Sequence, residues 1–460
     1  MSSGNTYRKQ GNRPFEGEFG IGQRDITPPI GINNKNWGAS SQDTATGIHQ
    51  ALLVTCISIE TKSNPSPKVI LSADLGWWKN MQDEAYVRDF ILENTGLEEA
   101  SLLFCFSHTH AGPNLNRGDK DKPGGEMIAP YLDALRKTCA ELIKDCLKNK
   151  VSGVLTWEYG SCRLAKNRDY YSPEGNQYFV GYNSSKPADD TLLVGRITDT
   201  AGEIMGTIVN YACHPTTLAW GNLKISPDFP GTFKKIMKEN TGAPSLFIQG
   251  ASGDLAPAEQ YSGNVALAEK HGRQLAFSAL AVLESMSAPG KTLVFKKTVA
   301  SGAPLAIWEP ESVPTESKVS AEIIRIELPL KPWPSIKKLK QSINECEDPV
   351  LKERLIRKLG VRSSIGDGAK VTVKVWYWRL GDCRIVVQPN EAYAVFQQTL
   401  REKFPSSAVV VGNIVNGHVG YLPPEELYDK DMYTVWQTPF KAGAYEVLAK
   451  KVLNKMKSKP

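Results

Sequence analysis

Imidazole nitrogens ligate divalent metals and carry protons near neutral pH, and this chain concentrates its few histidines. Of six in all, His108 and His110 stand one residue apart in Ser107-His108-Thr109-His110-Ala111-Gly112-Pro113. A third, His214, lies in Asn210-Tyr211-Ala212-Cys213-His214-Pro215-Thr216. Both runs read as an apolar strand ending in a turn-forming segment, the place where α/β proteins mount metal and catalytic groups. Alternate residues of a strand share a face, so an extended His-x-His would aim both rings the same way. That suits two imidazoles on one metal, or one ligand beside one proton carrier; a pair of hydrogen-bonded structural histidines is the plain alternative. Pro215 biases His214 towards an extended backbone.

Three further segments carry polar groups at the same kind of junction. Phe247–Pro257 is an apolar strand running into the turn Gly250-Ala251-Ser252-Gly253-Asp254, where glycines admit close approach and successive N–H groups cradle an anion or oxyanion. It is neither a Gly-x-Ser-x-Gly elbow nor a phosphate-binding loop with its lysine. Glu391 sits where a strand gives way to a helix, and Tyr421 ends another strand. Taken singly, these two read as a helix-start charge and an interfacial aromatic.

The elements that must hold these groups alternate. Strand-like runs at 51–60, 68–74, 100–107, 206–213 and 244–249 are separated by helical patterns at 81–95, 127–149 and 264–286. This predicts an α/β fold, a mixed β-sheet core with flanking helices. From 302 to 370 the chain is charged and proline-rich, with helices expected at 334–347 and 349–359. That stretch is expected to be a surface insertion between two sheet strands. Strands at 370–380, 383–388 and 408–412 follow, with a helix at about 391–403. The organisation expected is an N-terminal extension over 1–18 and one domain over 19–460.

With 460 residues, 41% apolar and 23% charged, the chain has the make-up of a globular protein with a large core. A net charge of +6 without a dense Lys/Arg run argues against nucleic acid as partner. The basic tail Lys450–Lys457 reads as a solvated helix end. No apolar run reaches the roughly 20 residues needed to span a bilayer. Met1–Glu16 lacks the apolar core of an export signal, so a cytoplasmic location is expected, or a secreted or periplasmic one if a signal has been removed. The eight cysteines form no Cys-x-x-Cys pair and read as structural thiols.

Taken together, the runs resemble the neutral/alkaline, non-lysosomal ceramidase family. The resemblance rests on Gly20–Pro28, Ser72–Gly76, Ser107–Pro113, Asn167-Arg168, Cys213–Thr216, Gly253–Pro257, Pro389-Asn390-Glu391 and the Tyr421–Tyr433 block, spread over about residues 19–445. It implies a ceramidase-like catalytic domain with one zinc ion on His108, His214, Glu391 and Tyr421. It further implies His110 as proton carrier, Arg168 and Tyr433 at the reacting centre, and Asn167, Asp254 and residue 256 beside the substrate. Family members carry a serine where this chain has Ala256, and usually continue into a C-terminal β-sandwich. The expected activity is therefore metal-assisted hydrolysis of an amide in an N-acylated lipid or small molecule. Two alternatives stay open: a metal-dependent carbohydrate-active hydrolase or lyase, suggested by Trp77, Trp78, Trp220 and Trp308 as sugar-stacking surfaces, and an inactive module that keeps a metal for structure. Neither the oligomeric state nor the substrate is read from the sequence.

Overall fold

The computed structural model describes residues 13–62 and 64–458; the first twelve residues of the expected N-terminal extension lie outside them. Eight strands build the larger sheet: β1 (Phe15–Asp25), β2 (Leu53–Thr61), β3 (Asn64–Ala73), β4 (Leu102–Phe106), β5 (Val151–Ser161), β6 (Thr191–Asp199), β7 (Ile204–Tyr211) and β8 (Ser245–Gln249). Their spatial order is β8-β7-β6-β5-β1-β2-β3-β4. A second, four-stranded sheet follows, with β9 (Val319–Pro329), β10 (Lys370–Leu380), β11 (Cys383–Val387) and β12 (Val409–Gly412) in chain order. The helices are α1 (Met81–Thr95), α2 (Ile128–Lys148), α3 (Phe229–Thr241), α4 (Val265–Ser285), α5 (Ile336–Glu345), α6 (Pro349–Ile365), α7 (Ala394–Lys403), α8 (Tyr433–Gln437) and α9 (Ala444–Lys457).

Strand residues alternate between two apolar environments, which places the sheets face to face. Ile57, Ile70, Leu103 and Ile248 of the larger sheet share one core with Trp376, Trp378, Ile385 and Val410 of the smaller. Their sequence neighbours point the other way. Val54, Val69 and Phe104 pack under α1 and α2, and Val194, Val209 and Phe247 under α3 and α4. The far face of the smaller sheet, with Val375, Val386 and Val411, is covered by α6, α7 and α9. The layers are thus helix, sheet, sheet, helix. With both faces buried, the central strands read as continuous apolar runs, and each fully buried Phe or Leu contributes about 1.5–3 kcal/mol.

Helix ends follow local chemistry. The Asn80 side chain accepts from the Asp83 N–H at 2.8 Å to start α1, and Gly96 ends it at φ 69°. Over 302–370 the charged stretch is more than an insertion of helices. It contributes Ala303–Ser312 to a hairpin with Lys291–Ser301, and β9 to the second sheet, before α5 and α6. The first strand likewise begins at Phe15, inside the stretch expected to be an extension.

Three neighbouring strand pairs run parallel: β3 with β4, β7 with β8, and β11 with β12. Their carboxyl ends open onto one region, the usual place for a ligand in such sheets. The two sheets are fixed there by Asn210 on β7. Its amide donates to the Ile248 and Val411 carbonyls at 3.0 and 2.8 Å, and its oxygen accepts from the Val411 N–H and Arg401 at 3.1 and 3.0 Å. Asn210→Leu would leave these buried partners unsatisfied. A stability loss of roughly 3 kcal/mol or more is expected, read as a lower urea midpoint with an unchanged m-value.

Candidate metal centre

The four expected ligands and the neighbouring imidazoles each follow the carboxyl end of one of those strands. His108 and His110 follow β4, His214 follows β7, Glu391 follows β11, and His418 and Tyr421 follow β12. The loop after β12 is stitched to β4: the Asn416 side chain accepts from the Phe104 N–H and donates to the Leu102 carbonyl, both at 2.8 Å. Glu391 and Tyr421 then pair as a short parallel bridge. A side chain at position 253 would meet the backbone oxygens of Glu391 and Ala392 at 2.9 and 3.0 Å. Gly253 is therefore required for the turn to close on the Glu391 backbone.

The His-x-His segment is not extended. The strand ends at Phe106, and His108 lies in the left-handed region at φ 69°, a conformation that costs a non-glycine residue roughly 1–3 kcal/mol. The rings converge all the same. Centroids of His108 and His110 are 4.9 Å apart, those of His108 and His214 also 4.9 Å, and those of His110 and His214 6.1 Å.

Backbone contacts decide which nitrogens face inward. His108 Nδ1 donates to the Gly76 carbonyl at 3.1 Å, and His214 Nδ1 to the Ser252 and Leu255 carbonyls at 2.7 and 3.1 Å. Carbonyls only accept, so each Nδ1 carries a proton, and in a neutral ring the Nε2 then presents a lone pair. The two Nε2 atoms face the same Glu391 oxygen, at 3.5 Å from His108 and 3.1 Å from His214. Burial, and next the Arg168 charge, hold His214 down at about 3, so it is neutral near pH 7. Burial works to raise Glu391, but its three imidazole neighbours His108, His214 and His418 bring it well below the usual carboxylate range. Three electron-rich atoms facing one another in a buried site call for positive charge between them. The nitrogen and oxygen donors, with imidazoles oriented by carbonyls, suit a divalent metal. One nitrogen from each of His108, His110 and His214 also lies within 4.8 Å of the others, a group able to hold a metal ion.

The remaining expected residues separate into two sets. Tyr421 reaches the site: its hydroxyl accepts from Arg168 Nη2 at 3.1 Å, and burial, then the Glu391 charge, push it well above its ordinary value. Tyr433 lies against Tyr421, ring centroids 5.7 Å apart. The fork of Arg168 is already engaged by protein, with Nε and Nη2 on the Gly253 carbonyl at 3.1 and 2.8 Å. Its observed partners are thus the Gly253 carbonyl and the Tyr421 hydroxyl. Asn167, Asp254 and Ala256 lie behind the centre. Asn167 and Ala256 are each 1% exposed in the ladder Ala165–Asn167 with Leu255–Pro257, and Asp254 accepts from the Ala394 N–H at 2.8 Å. None of the three is among the residues lining the cleft.

Two contributors were missed in the sequence. His418 Nε2 donates to the other Glu391 oxygen at 2.9 Å, orienting the carboxylate; its place in a glycine-flanked turn after a strand was the available signal. Arg357, on α6, donates to the Tyr433 hydroxyl at 2.9 Å. It lies in the charged stretch expected to be a surface excursion, and nothing in the local pattern marked it. His110 sits between Trp37 and Trp77, ring centroids 5.0 and 4.8 Å away, with both ring nitrogens buried and unpartnered among the described residues. Burial, then the neighbouring His108 and His214, keep it well below its ordinary value.

The centre forms the floor of a cleft of about 1190 Å³, whose far wall is α6. Its lining mixes apolar surface with polar side chains, among them Asn33, Lys79, Asn114 and Arg357. None of the cysteines forms a disulfide, and all but Cys346 are buried. Among the described residues no helix is long and apolar enough to cross a membrane.

Comparison with known proteins gives a relative in sequence and two similar structures. No family model matches the chain. Over 256 residues it is 25% identical to the neutral ceramidase of Pseudomonas aeruginosa, an alignment covering 52% of this chain and 37% of that protein. The match therefore spans little more than a third of that relative. In fold, the chain superposes on the crystal structure of neutral ceramidase from Pseudomonas aeruginosa with a TM-score of 0.67, at 16% identity, covering 95% of this chain and 73% of the other. A ceramidase complexed with C2 superposes with a TM-score of 0.66, at 15% identity, covering 96% and 76%.

Proposed function

We propose that the chain, which is similar to neutral ceramidase in sequence and in fold, is a zinc-dependent amidohydrolase of that family acting on an N-acylated lipid or small molecule. One observation carries the reading. Two imidazole lone pairs and a carboxylate oxygen meet at one point, with an unpartnered imidazole beside it, on the floor of an open cleft. His108, His214, Glu391 and Tyr421 would hold the ion. When bound, zinc acidifies a water and polarises a carbonyl.

The chain's own residues supply the remaining steps. His110, with two free ring nitrogens, takes the proton of the attacking water and returns it to the leaving nitrogen. Tyr433, its hydroxyl fixed by Arg357, donates to the oxyanion that forms on the amide carbon. Arg168 orients Tyr421, His418 orients Glu391, and Trp37 and Trp77 hold the His110 ring. None of these roles needs a hydroxyl at position 256, where the chain has alanine.

A carbohydrate-active reading has one observation in its favour: Trp37, Trp220 and Tyr261 cluster next to His110, with Trp220 42% exposed. Metal analysis of the purified protein, followed by hydrolysis assays on N-acyl amides, esters and uronic-acid oligosaccharides, separates the two. About one zinc per chain and chelator-sensitive release of free amine are expected. Cleavage confined to oligosaccharides would transfer the assignment to the second reading, and a protein that takes up no metal would end the first.

A further inference from the structure

We propose that the α6 wall of the cleft binds an oxyanion of the substrate, a carboxylate or sulfonate, between Lys79 and Arg357. This rests on the reading of the cleft as a substrate site. The substrate class then narrows to amides that carry an acidic group a few bonds from the scissile linkage, such as N-acyl amino acids or N-acyl taurines.

Several cations lining the cleft are already answered by carboxylates: Lys35 by Asp43, Arg117 by Asp83, and Lys122 by Asp119. Lys340 and Lys352 line it without a carboxylate partner among the described residues, and so does Lys79, which differs from them in being held in place. Its ammonium donates to the Asn36 side-chain oxygen at 2.8 Å and lies 3.4 Å from the Trp77 ring centroid, with no carboxylate in ion-pair contact among the described residues. Asn36 also holds the second cation, because its backbone carbonyl accepts from Arg357 Nη2 at 3.0 Å. Asn36 is itself 3% exposed and anchored by donation to the Gly112 carbonyl at 2.9 Å. One buried asparagine thus fixes two cations side by side. Glu353, at 2.7 Å from Arg357, answers that cation, so a protonated Lys79 adds one positive charge in excess.

The fold builds this arrangement through a close approach. A side chain at Gly360 would meet the Lys79 carbonyl oxygen at 2.7 Å, so glycine lets α6 seat on the Lys79 backbone. Arg357, three residues earlier, shares that helix face. Burial, then the Arg357 charge, push the Lys79 ammonium well below its ordinary value, and an oxyanion seated between the two would oppose that shift. Each cation is one side chain from the reacting centre. Lys79 lies over Trp77, whose ring is 4.8 Å from His110, and Arg357 holds Tyr433, whose ring is 5.7 Å from Tyr421.

The test compares N-hexanoyltaurine with N-hexanoylethanolamine, which differ in sulfonate against hydroxyl. Equilibrium binding is measured by calorimetry and cleavage by amine release, on the metal-loaded wild type and on Lys79→Gln, Lys79→Arg and Arg357→Gln. The wild type should bind the taurine conjugate roughly ten- to a hundredfold tighter, as a charge-assisted contact predicts. Lys79→Gln and Arg357→Gln should each lose most of that preference and Lys79→Arg keep it. Binding of the ethanolamine conjugate serves as the control for folding. Equal wild-type binding of both conjugates overturns the anion site, as does a preference that survives both glutamine variants. Preferential binding without cleavage leaves the anion site standing and removes the hydrolase reading. Equal cleavage of both does the reverse.

Discussion

His214→Ala will come off purification with zinc reduced from about one per chain to near none, and with amide hydrolysis lowered roughly a thousandfold or more. The expectation follows from how His214 is mounted. Its Nδ1 is fixed by two carbonyls, at 2.7 and 3.1 Å, so the ring has one orientation and its Nε2 one task. Loss of an outer hydrogen bond to a metal ligand already lowers affinity about 10–100-fold, and loss of the ligand itself exceeds that. The Glu391 oxygen facing it would then share the ion with His108 alone among the imidazoles at that oxygen. Zinc content is read by plasma emission on dialysed protein, with thermal unfolding of metal-free wild type as the folding control. A variant that keeps stoichiometric zinc and full turnover would remove His214 from the centre and, with it, the mechanism.

Much of the frame was legible along the chain, and the exceptions have physical causes. Helix α1 and strand β10 begin and end where the pattern placed them, because Asn80 and Gly96 cap the first and an uninterrupted β-branched and aromatic run builds the second. Strands β5 and β6 escaped notice: Gly153, Gly160 and Gly195 interrupt their apolar pattern to admit neighbouring side chains and backbone. Strand β9 was absorbed into the charged stretch because it lies against β10 alone, at an edge where glutamates and arginine point to solvent. The hairpin over 291–312 is largely exposed on both faces, so burial imposes no period on it.

The site divides in a similar way. Local grammar marks a histidine that follows a strand, and it singles out His108, His110 and His214; Glu391 reads locally as a helix-start charge and enters as a ligand only through the resemblance. That grammar cannot show that β7 and β12 belong to facing sheets joined through Asn210, and that is what brings residues 177 positions apart to 3.1 Å. The family resemblance supplied that grouping. It did not supply Arg357, whose contribution depends on α6 folding back across the cleft. It also implies Asn167, Asp254 and Ala256 beside the substrate; in the structure Asn167 and Ala256 lie in the buried ladder of 165–167 with 255–257, and none of the three lines the cleft.

His110→Ala separates ligand from proton carrier. The three histidine nitrogens lie close enough for His110 to complete a metal site, so geometry alone admits both roles. The backbone contacts distinguish them. His108 and His214 each have one nitrogen fixed by a carbonyl, as metal-bound imidazoles usually do, whereas both nitrogens of His110 are without a partner among the described residues and its ring is held by two indoles. A ring free at both nitrogens suits a group that takes a proton from one direction and delivers it in another. The variant should therefore keep zinc at the wild-type level and lose about 10²–10⁴ in turnover, the usual worth of a positioned acid–base group. Its KM should move little. The space vacated between Trp37 and Trp77 has the shape of an imidazole, so free imidazole in the assay should restore part of the rate. Zinc loss equal to that of His214→Ala would place His110 among the ligands and leave the proton transfer without a carrier.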